Sequence, residues 1–183
     1  YTNDLGRSVI NSFDRITGRI NFNQKIGKFI ELTTNVSVSS SGKEGFNDTR
    51  AHGNNYFFQS RNLLWGLYWP TDYVTGDPYT TRFGSYAYNP VYYNDQWENW
   101  SKTQRVFANE TVLIKILPGL NLRSIFSFDN TQTFDHLYYS ALHFNGSSVS
   151  GSVTENSTKI NELVSSTTLN YEKSFAGVHN VGV

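Results

Sequence analysis

From Asp14 to Asn23 the chain alternates strictly: Ile16, Gly18, Ile20 and Phe22 occupy one set of positions, and Arg15, Thr17, Arg19, Asn21 and Asn23 the other. Side chains of an extended strand point to opposite faces with period 2, so this spacing predicts a strand with one apolar and one polar face. After Gln24–Lys28 the alternation resumes, with Ile30, Leu32, Thr34, Val36 and Val38 set against Glu31, Thr33, Asn35, Ser37 and Ser39. Together the two runs predict a hairpin over 14–23 and 29–39. A second hairpin is predicted over 103–116 and 120–130, around the turn Leu117-Pro118-Gly119. Its first strand sets Val106, Ala108, Val112, Ile114 and Ile116 against Arg105, Asn109, Thr111 and Lys115. Its second sets Leu120, Leu122, Ser124, Phe126 and Phe128 against Asn121, Arg123, Ile125, Ser127 and Asp129. Glu110 on the apolar face and Leu113 on the polar one break the pattern. A further strand over 159–173 carries Leu163, Ser165, Thr167, Leu169 and Tyr171 on one face, and a last one begins at Asn180 after the turn 174–179.

The connections alternate in length. Those at 24–28, 117–119 and 174–179 are short, whereas those at 41–101 and 131–157 are long. Loops beyond ~12–15 residues are uncommon inside a compact soluble domain. Short turns at one end and long loops at the other are the pattern of an outer-membrane barrel. Strand length agrees, since a tilted strand needs about 9–11 residues to cross a bilayer. Alternation by itself also fits a soluble β-sandwich with one wet face; the strand lengths and the loop asymmetry favour the barrel. The expected fold class is therefore all-β, an antiparallel up-and-down meander, part of a large transmembrane β-barrel with long loops on one side. About six strands cannot close such a barrel, for which the smallest examples use about eight. Residues 1–183 are accordingly expected to be a partial barrel.

Composition narrows the function. The 183 residues carry 15 Lys plus Arg and 15 Asp plus Glu, a formal net charge of zero, which argues against bulk nucleic-acid binding. The absence of Cys excludes disulfides, Cys-ligated zinc and thiol catalysis. There is no Met, including at position 1, so the chain is expected to start inside a longer reading frame or after processing. Aromatics reach 16%, equal to the charged fraction, which excludes a disordered tail. No apolar run approaches the ~18–20 residues of a spanning helix.

Four segments carry a family resemblance. The first is Arg15-Ile16-Thr17-Gly18-Arg19-Ile20-Asn21-Phe22-Asn23-Gln24-Lys25-Ile26, followed by Leu32 to Ser41 as L-x-x-N-V-S-x-S-x-S. The second is Asn89-Pro90, late in the long aromatic loop. The third is Asn109 with Pro118-Gly119-Leu120-Asn121-Leu122-Arg123-Ser124. The fourth is Leu169-Asn170-Tyr171-Glu172-Lys173-Ser174-Phe175 with His179-Asn180-Val181. In order and spacing they resemble SusC/RagA-type TonB-linked outer-membrane transporters along nearly the whole chain. The resemblance implies a barrel of about 22 strands (even-numbered barrels of 8 to 26 are usual) in the outer membrane of a Gram-negative bacterium. It also implies an internal plug, a SusD-like surface lipoprotein as partner, and import of oligosaccharides, or sometimes peptides, powered by TonB. The plug and the TonB-contacting segment are expected to lie outside this stretch, and the short turns are expected on the periplasmic side.

No catalytic motif is present: there is no G-x-S-x-G, Walker loop, G-x-G-x-x-G, H-E-x-x-H or EF-hand loop. The expectation is a transporter and not an enzyme, with no cofactor and no metal. His136 and His143 have no standard ligand spacing, and the carboxylates Glu44, Asp48, Asp72, Asp77, Asp95 and Glu98 read as a solvated loop. The N-x-S/T sites at Asn35, Asn47, Asn99, Asn109, Asn145 and Asn156 read as coincidences of an Asn- and Ser-rich chain. The informative segment is the aromatic loop, which holds all four Trp. Aromatic faces with a polar handle suit sugar rings or a protein interface, and they also suit a loop packing against itself. The substrate- or partner-binding candidates are Trp65, Tyr68, Trp69, Tyr73, Tyr92, Tyr93 and Trp97, and the lumen-facing candidates are Arg15, Arg19, Glu31, Arg123 and Asp129. Asn54-Asn55 is expected to cap a short helix over 56–64. Two rivals stand beside the transporter: a soluble aromatic-rich β-sandwich that binds carbohydrate, and a structural outer-membrane or secreted β-protein.

Overall fold

The structure is a computed structural model, and it describes residues 1–6, 11–45, 71–80, 89–175 and 179–182. Seven strands form one sheet in the order β1-β2-β3-β4-β5-β6-β7, each beside its sequence neighbour. They are β1 (Thr2–Leu5), β2 (Ser12–Ile26), β3 (Ile30–Glu44), β4 (Trp97–Leu117), β5 (Leu120–Tyr139), β6 (Ser152–Phe175) and β7 (His179–Gly182). A short helix α1 (Pro90–Tyr93) and two single 3-10 turns complete the described elements. The meander is as expected, with two long hairpins, β2–β3 and β4–β5, and a shorter pairing of β6 with β7. The described residues form one sheet and not the two packed sheets of a sandwich.

Two features differ from the sequence reading. Among the described residues there are seven strands and not about six, because β1 pairs with β2 (Thr2 opposite Arg15, Leu5 opposite Ser12) through a stretch with no alternation to read. The strands also run further into the expected loops. β4, β5 and β6 have 21, 20 and 24 residues, roughly twice what a bilayer crossing takes. The loops expected at 41–101 and 131–157 therefore shrink to the stretches between Glu44 and Trp97 and between Tyr139 and Ser152. Polar pairs hold these extensions: Ser12 Oγ lies 3.4 Å from a Glu44 carboxylate oxygen, and Ser140 N donates to Gln96 O at 2.8 Å.

Register fixes the faces. Lys115 N donates to Phe29 O at 2.7 Å, and Glu172 N to Gly119 O at 2.8 Å. Gly119 ends the β4–β5 turn at φ 85°, where a Cβ would run into the Glu172 carbonyl. Even positions of β2 to β5 and odd positions of β6 share the apolar face. There Ile16, Ile20, Phe22, Ile116, Phe126, Phe128 and Leu169 are all exposed, and Leu163 is 82% exposed. Leu32 and Val36, expected on the same face, are half-buried beside the neighbouring strands. Glu110 keeps its place on this face because the Thr34 hydroxyl donates to its carboxylate.

The chain divides into two compact units: Tyr1–Arg15, Ser41–Lys102 and Thr133–Ser157 form one, and Ile16–Ser40, Thr103–Gln132 and Thr158–Val183 the other. The first, the loop unit, holds Tyr93, 8% exposed and the one buried hydrophobic side chain among the described residues. Among the described residues of the second, the strand unit, no hydrophobic side chain is buried: many are exposed and the others, Leu32 and Val36 among them, are half-buried.

Candidate functional site

In the strand unit the polar face carries linked charges. Lys115 Nζ lies 2.7 Å from Glu31 Oε1, and Lys25 Nζ reaches the same oxygen at 3.7 Å. Arg105 grips Asp129 with two nitrogens, Nε at 2.9 Å from Oδ1 and Nη2 to Oδ2. Asn109 Nδ2 donates to Ser127 Oγ at 2.6 Å. These pairs form because cross-strand neighbours on one face lie close enough for opposite charges to meet. Of the five lumen-facing candidates, Glu31 and Asp129 thus sit in ion pairs, while Arg19 and Arg123 are exposed positions of the same face. Arg15 shares that parity on β2 and belongs to the loop unit. The sequence reading counted Lys115 among the lumen-facing charges and placed Arg105 on the same face; strand alternation was the signal for both.

In the loop unit, α1 begins with Pro90 at a position that needs no amide donor. Tyr93 N donates to Asn89 O at 3.1 Å. Asn89, 1% exposed, donates through Nδ2 to Tyr79 O at 2.8 Å, and Tyr93 Oη reaches Thr80 O at 3.3 Å. The Tyr93 ring meets Tyr92, His143 and Phe144 edge-on at 4.9, 5.4 and 5.3 Å between centroids. Tyr139 stacks on His143 at 4.7 Å. His143 is 1% exposed, and Asn145 N donates to its Nδ1 at 3.0 Å, so that nitrogen carries a lone pair. Burial pushes the His143 pKa down from 6.5 to about 4, and the ring is neutral.

A small hairpin closes between Thr71 and Pro78. Asp72 Oδ1 accepts from Val74 N at 2.7 Å and from Thr75 N at 3.1 Å, and these two amides hold its carboxyl below the usual carboxylate range. The Tyr79 hydroxyl is pushed up, first by burial and then by the Asp72 charge. Tyr73, 88% exposed, stands at the tip beside Val74.

The seven aromatic candidates therefore separate. Tyr93 is loop core. Tyr92 packs against it and is half-buried. Tyr73 is open at a turn tied by the Asp72 carboxylate. Trp97 is not in the loop: it is the first residue of β4, and its odd position places it with the polar face. Trp65, Tyr68 and Trp69, like the helix expected over 56–64, lie outside the described residues. No group of three or more His, Asp or Glu able to hold a metal occurs among the described residues.

Neither a protein-family model nor a curated protein matches the chain. Solved structures do. The chain is similar to a chain of the RagAB peptide transporter, with a TM-score of 0.72 at 19% identity. It is also similar to a chain of the RagAB peptide importer in the closed-closed state, with a TM-score of 0.70 at 20% identity, and in the open-open state, with 0.67 at 19%. Each match covers 94% of this chain and 19% of the importer chain. The chain thus spans about a fifth of the length of the structures it matches. At this identity the likeness shows the fold: the seven-stranded meander is that of a segment of these importer chains, and the resemblance read from the sequence holds at that level.

Proposed function

We propose that the chain is part of the barrel of a TonB-linked outer-membrane importer of the SusC/RagA type that takes up oligomeric nutrients with a SusD-like lipoprotein. One observation carries this reading: Ile16, Ile20, Phe22, Phe126, Phe128, Leu163 and Leu169 share one face of the strand unit and are all exposed, in a chain of which 94% matches the fold of the importer chains. In water such a face would be costly, whereas against lipid it is the stable arrangement. The opposite face, with its Glu31 and Asp129 ion pairs, lines the lumen, where water or a plug can solvate the charges. The long loops face outside the cell, the short turns face the periplasm, and TonB engages a region beyond this stretch. The chain acts in transport and not as an enzyme.

Peptides come first among the substrates to test, because the matching structures are of a peptide importer. Oligosaccharides, suggested by the aromatic loop, are the second reading, weakened by Tyr93 being closed inside the loop core. Tyr73 at its exposed tip, with Trp97 and the loop residues Trp65, Tyr68 and Trp69, supplies the surface for ligand capture or lipoprotein docking. Truncating a true anchor costs ~2 kcal/mol or more. Changing Trp65, Tyr68, Trp69, Trp97 or Tyr73 to Ala in the full-length protein is therefore expected to weaken capture of a peptide mixture, or lipoprotein docking, by about tenfold or more at one position at least. If all five variants fold and bind peptides, oligosaccharides and lipoprotein like the parent, the aromatics have no part in capture.

A further inference from the structure

The polar face of the strand unit does not balance its charges evenly along its length. Far from the short turns Asp129 grips Arg105, and Glu162 of β6 is near enough to act on the same guanidinium. Close to the short turns bases prevail. Lys25 stands next to the last residue of β2, Glu31 is second in β3, Lys115 lies just before the end of β4, and Arg123 lies near the start of β5. The row crosses four neighbouring strands. Lys115 and Lys25 share the single Glu31 carboxylate, at 2.7 and 3.7 Å. Arg123 is exposed, and its side chain makes no ion pair among the described residues. Beside it on β6 stands a hydroxyl and not an acid: Thr168 Oγ1 donates to Arg123 O at 3.4 Å. Glu172, the other acid at this end, lies further along β6, with its amide on Gly119 O. Three bases thus face two acids, and Lys28 in the β2–β3 turn adds a fourth base. All of these residues belong to the strand unit.

We infer that Lys115 and Arg123 receive a carboxylate side chain of a peptide in the lumen, so that the importer favours acidic peptides. The inference rests on the proposed importer reading, which makes this face the lumen wall. Three features choose the occupant. The free guanidinium of Arg123 presents a planar fork that fits a carboxylate. The Lys115 ammonium has three donors, of which Glu31 takes one. At this end of the face the strands carry no aromatic side chain, so a neutral sugar ring finds no platform to stack on, whereas Asn121 and Asn170 offer amides to a peptide backbone. The surplus of bases also draws acidic molecules toward this end before contact is made.

The test uses the full-length protein in detergent and two labelled peptides of one length, identical except that each Asp of the first is Asn in the second. Their affinities are compared by fluorescence anisotropy, and the ratio cancels the contacts that the two peptides share. An ion pair open to water is worth about fivefold in affinity at most. The parent should favour the Asp peptide. Arg123→Gln and Lys115→Gln should each lower that preference by up to about fivefold, and Arg123→Lys should keep most of it. Raised salt should shrink the preference in the parent. Equal affinities of the parent for the two peptides overturn the inference. So does an Asp preference that survives in the double variant Arg123→Gln, Lys115→Gln. A galacturonic acid oligomer is the further probe: if the double variant weakens its binding and leaves the Asp peptide untouched, the site is one for acidic sugars and the inference is again overturned. Each of these results leaves the importer reading standing, whereas a protein that binds no peptide and no oligosaccharide and joins no vesicle overturns both.

Discussion

Tyr93 and Leu163 are both large apolar side chains, yet one is 8% exposed and the other 82%. Tyr93 belongs to the loop unit, which is built as a water-soluble structure is. It gathers rings around Tyr93 and His143, and it closes its polar groups on Asn89, Asp72 and the backbone. Leu163 belongs to the strand unit, where cross-strand pairing satisfies the backbone, the charges meet on one face, and the apolar residues stand on the other. If the proposed barrel reading holds, burial marks stability in the first unit and exposure marks it in the second, because the solvent differs. Exposure of Leu, Ile and Phe over a whole face is a docking surface, and in a barrel wall its partner is lipid.

The contrast can be broken by substitution. The largest effect is expected at Tyr93→Ala, since removing a buried aromatic side chain typically costs ~3–5 kcal/mol. The loss should stay local: hydrogen exchange over 140–151 and proteolysis near 71–80 should rise, with the strands of the barrel unchanged. Leu163→Arg should come next. At a position this exposed in water, a substitution stays within about ±0.5 kcal/mol. On a lipid face it costs ~2–4 kcal/mol, read as a lower urea midpoint for folding into vesicles. A fully tolerated Arg would mean that the face meets water.

A smaller effect comes from pH. The unfolded loop binds a proton at His143 below about pH 6.5, while the folded site resists it down to about 4. The loop should keep its full stability above pH 6.5, lose it progressively between 6.5 and 4, and lose nothing further to this group below. Limited proteolysis across that range checks the sign, and His143→Gln should flatten the dependence. The smallest effect is expected at Arg105→Ala. The Arg105 side chain is about half exposed, so the loss should be small and shrink further in high salt.

The middles of the long strands were legible because every second residue there changes polarity, as from Ile16 to Phe22 and from Leu120 to Asp129. Their ends were not. Beyond Ser39 the run Ser40-Ser41-Gly42-Lys43-Glu44 is polar on both faces, and Thr131 to Tyr139 mixes aromatics onto both, so alternation loses its contrast at the strand ends. Glu110 was legible as an exception, and its hydroxyl partner Thr34, 76 residues away, was not. Among the aromatics, sequence could not separate Tyr93 from Tyr73. What separates them is the position of Asn89 and His143 around one ring and the turn at Asp72 under the other.

The most direct measurement compares two neighbouring positions. Leu163 and Val164 lie side by side on β6 and, by alternation, on opposite faces. Each is replaced by a single Cys in the full-length protein, spin-labelled and reconstituted in vesicles. Relaxation of the label by oxygen, which concentrates in lipid, is then compared with relaxation by a water-soluble nickel complex. The label at 163 should respond chiefly to oxygen and the label at 164 chiefly to nickel. Equal responses at the two positions, or nickel dominance at 163, would contradict a lipid-facing apolar wall.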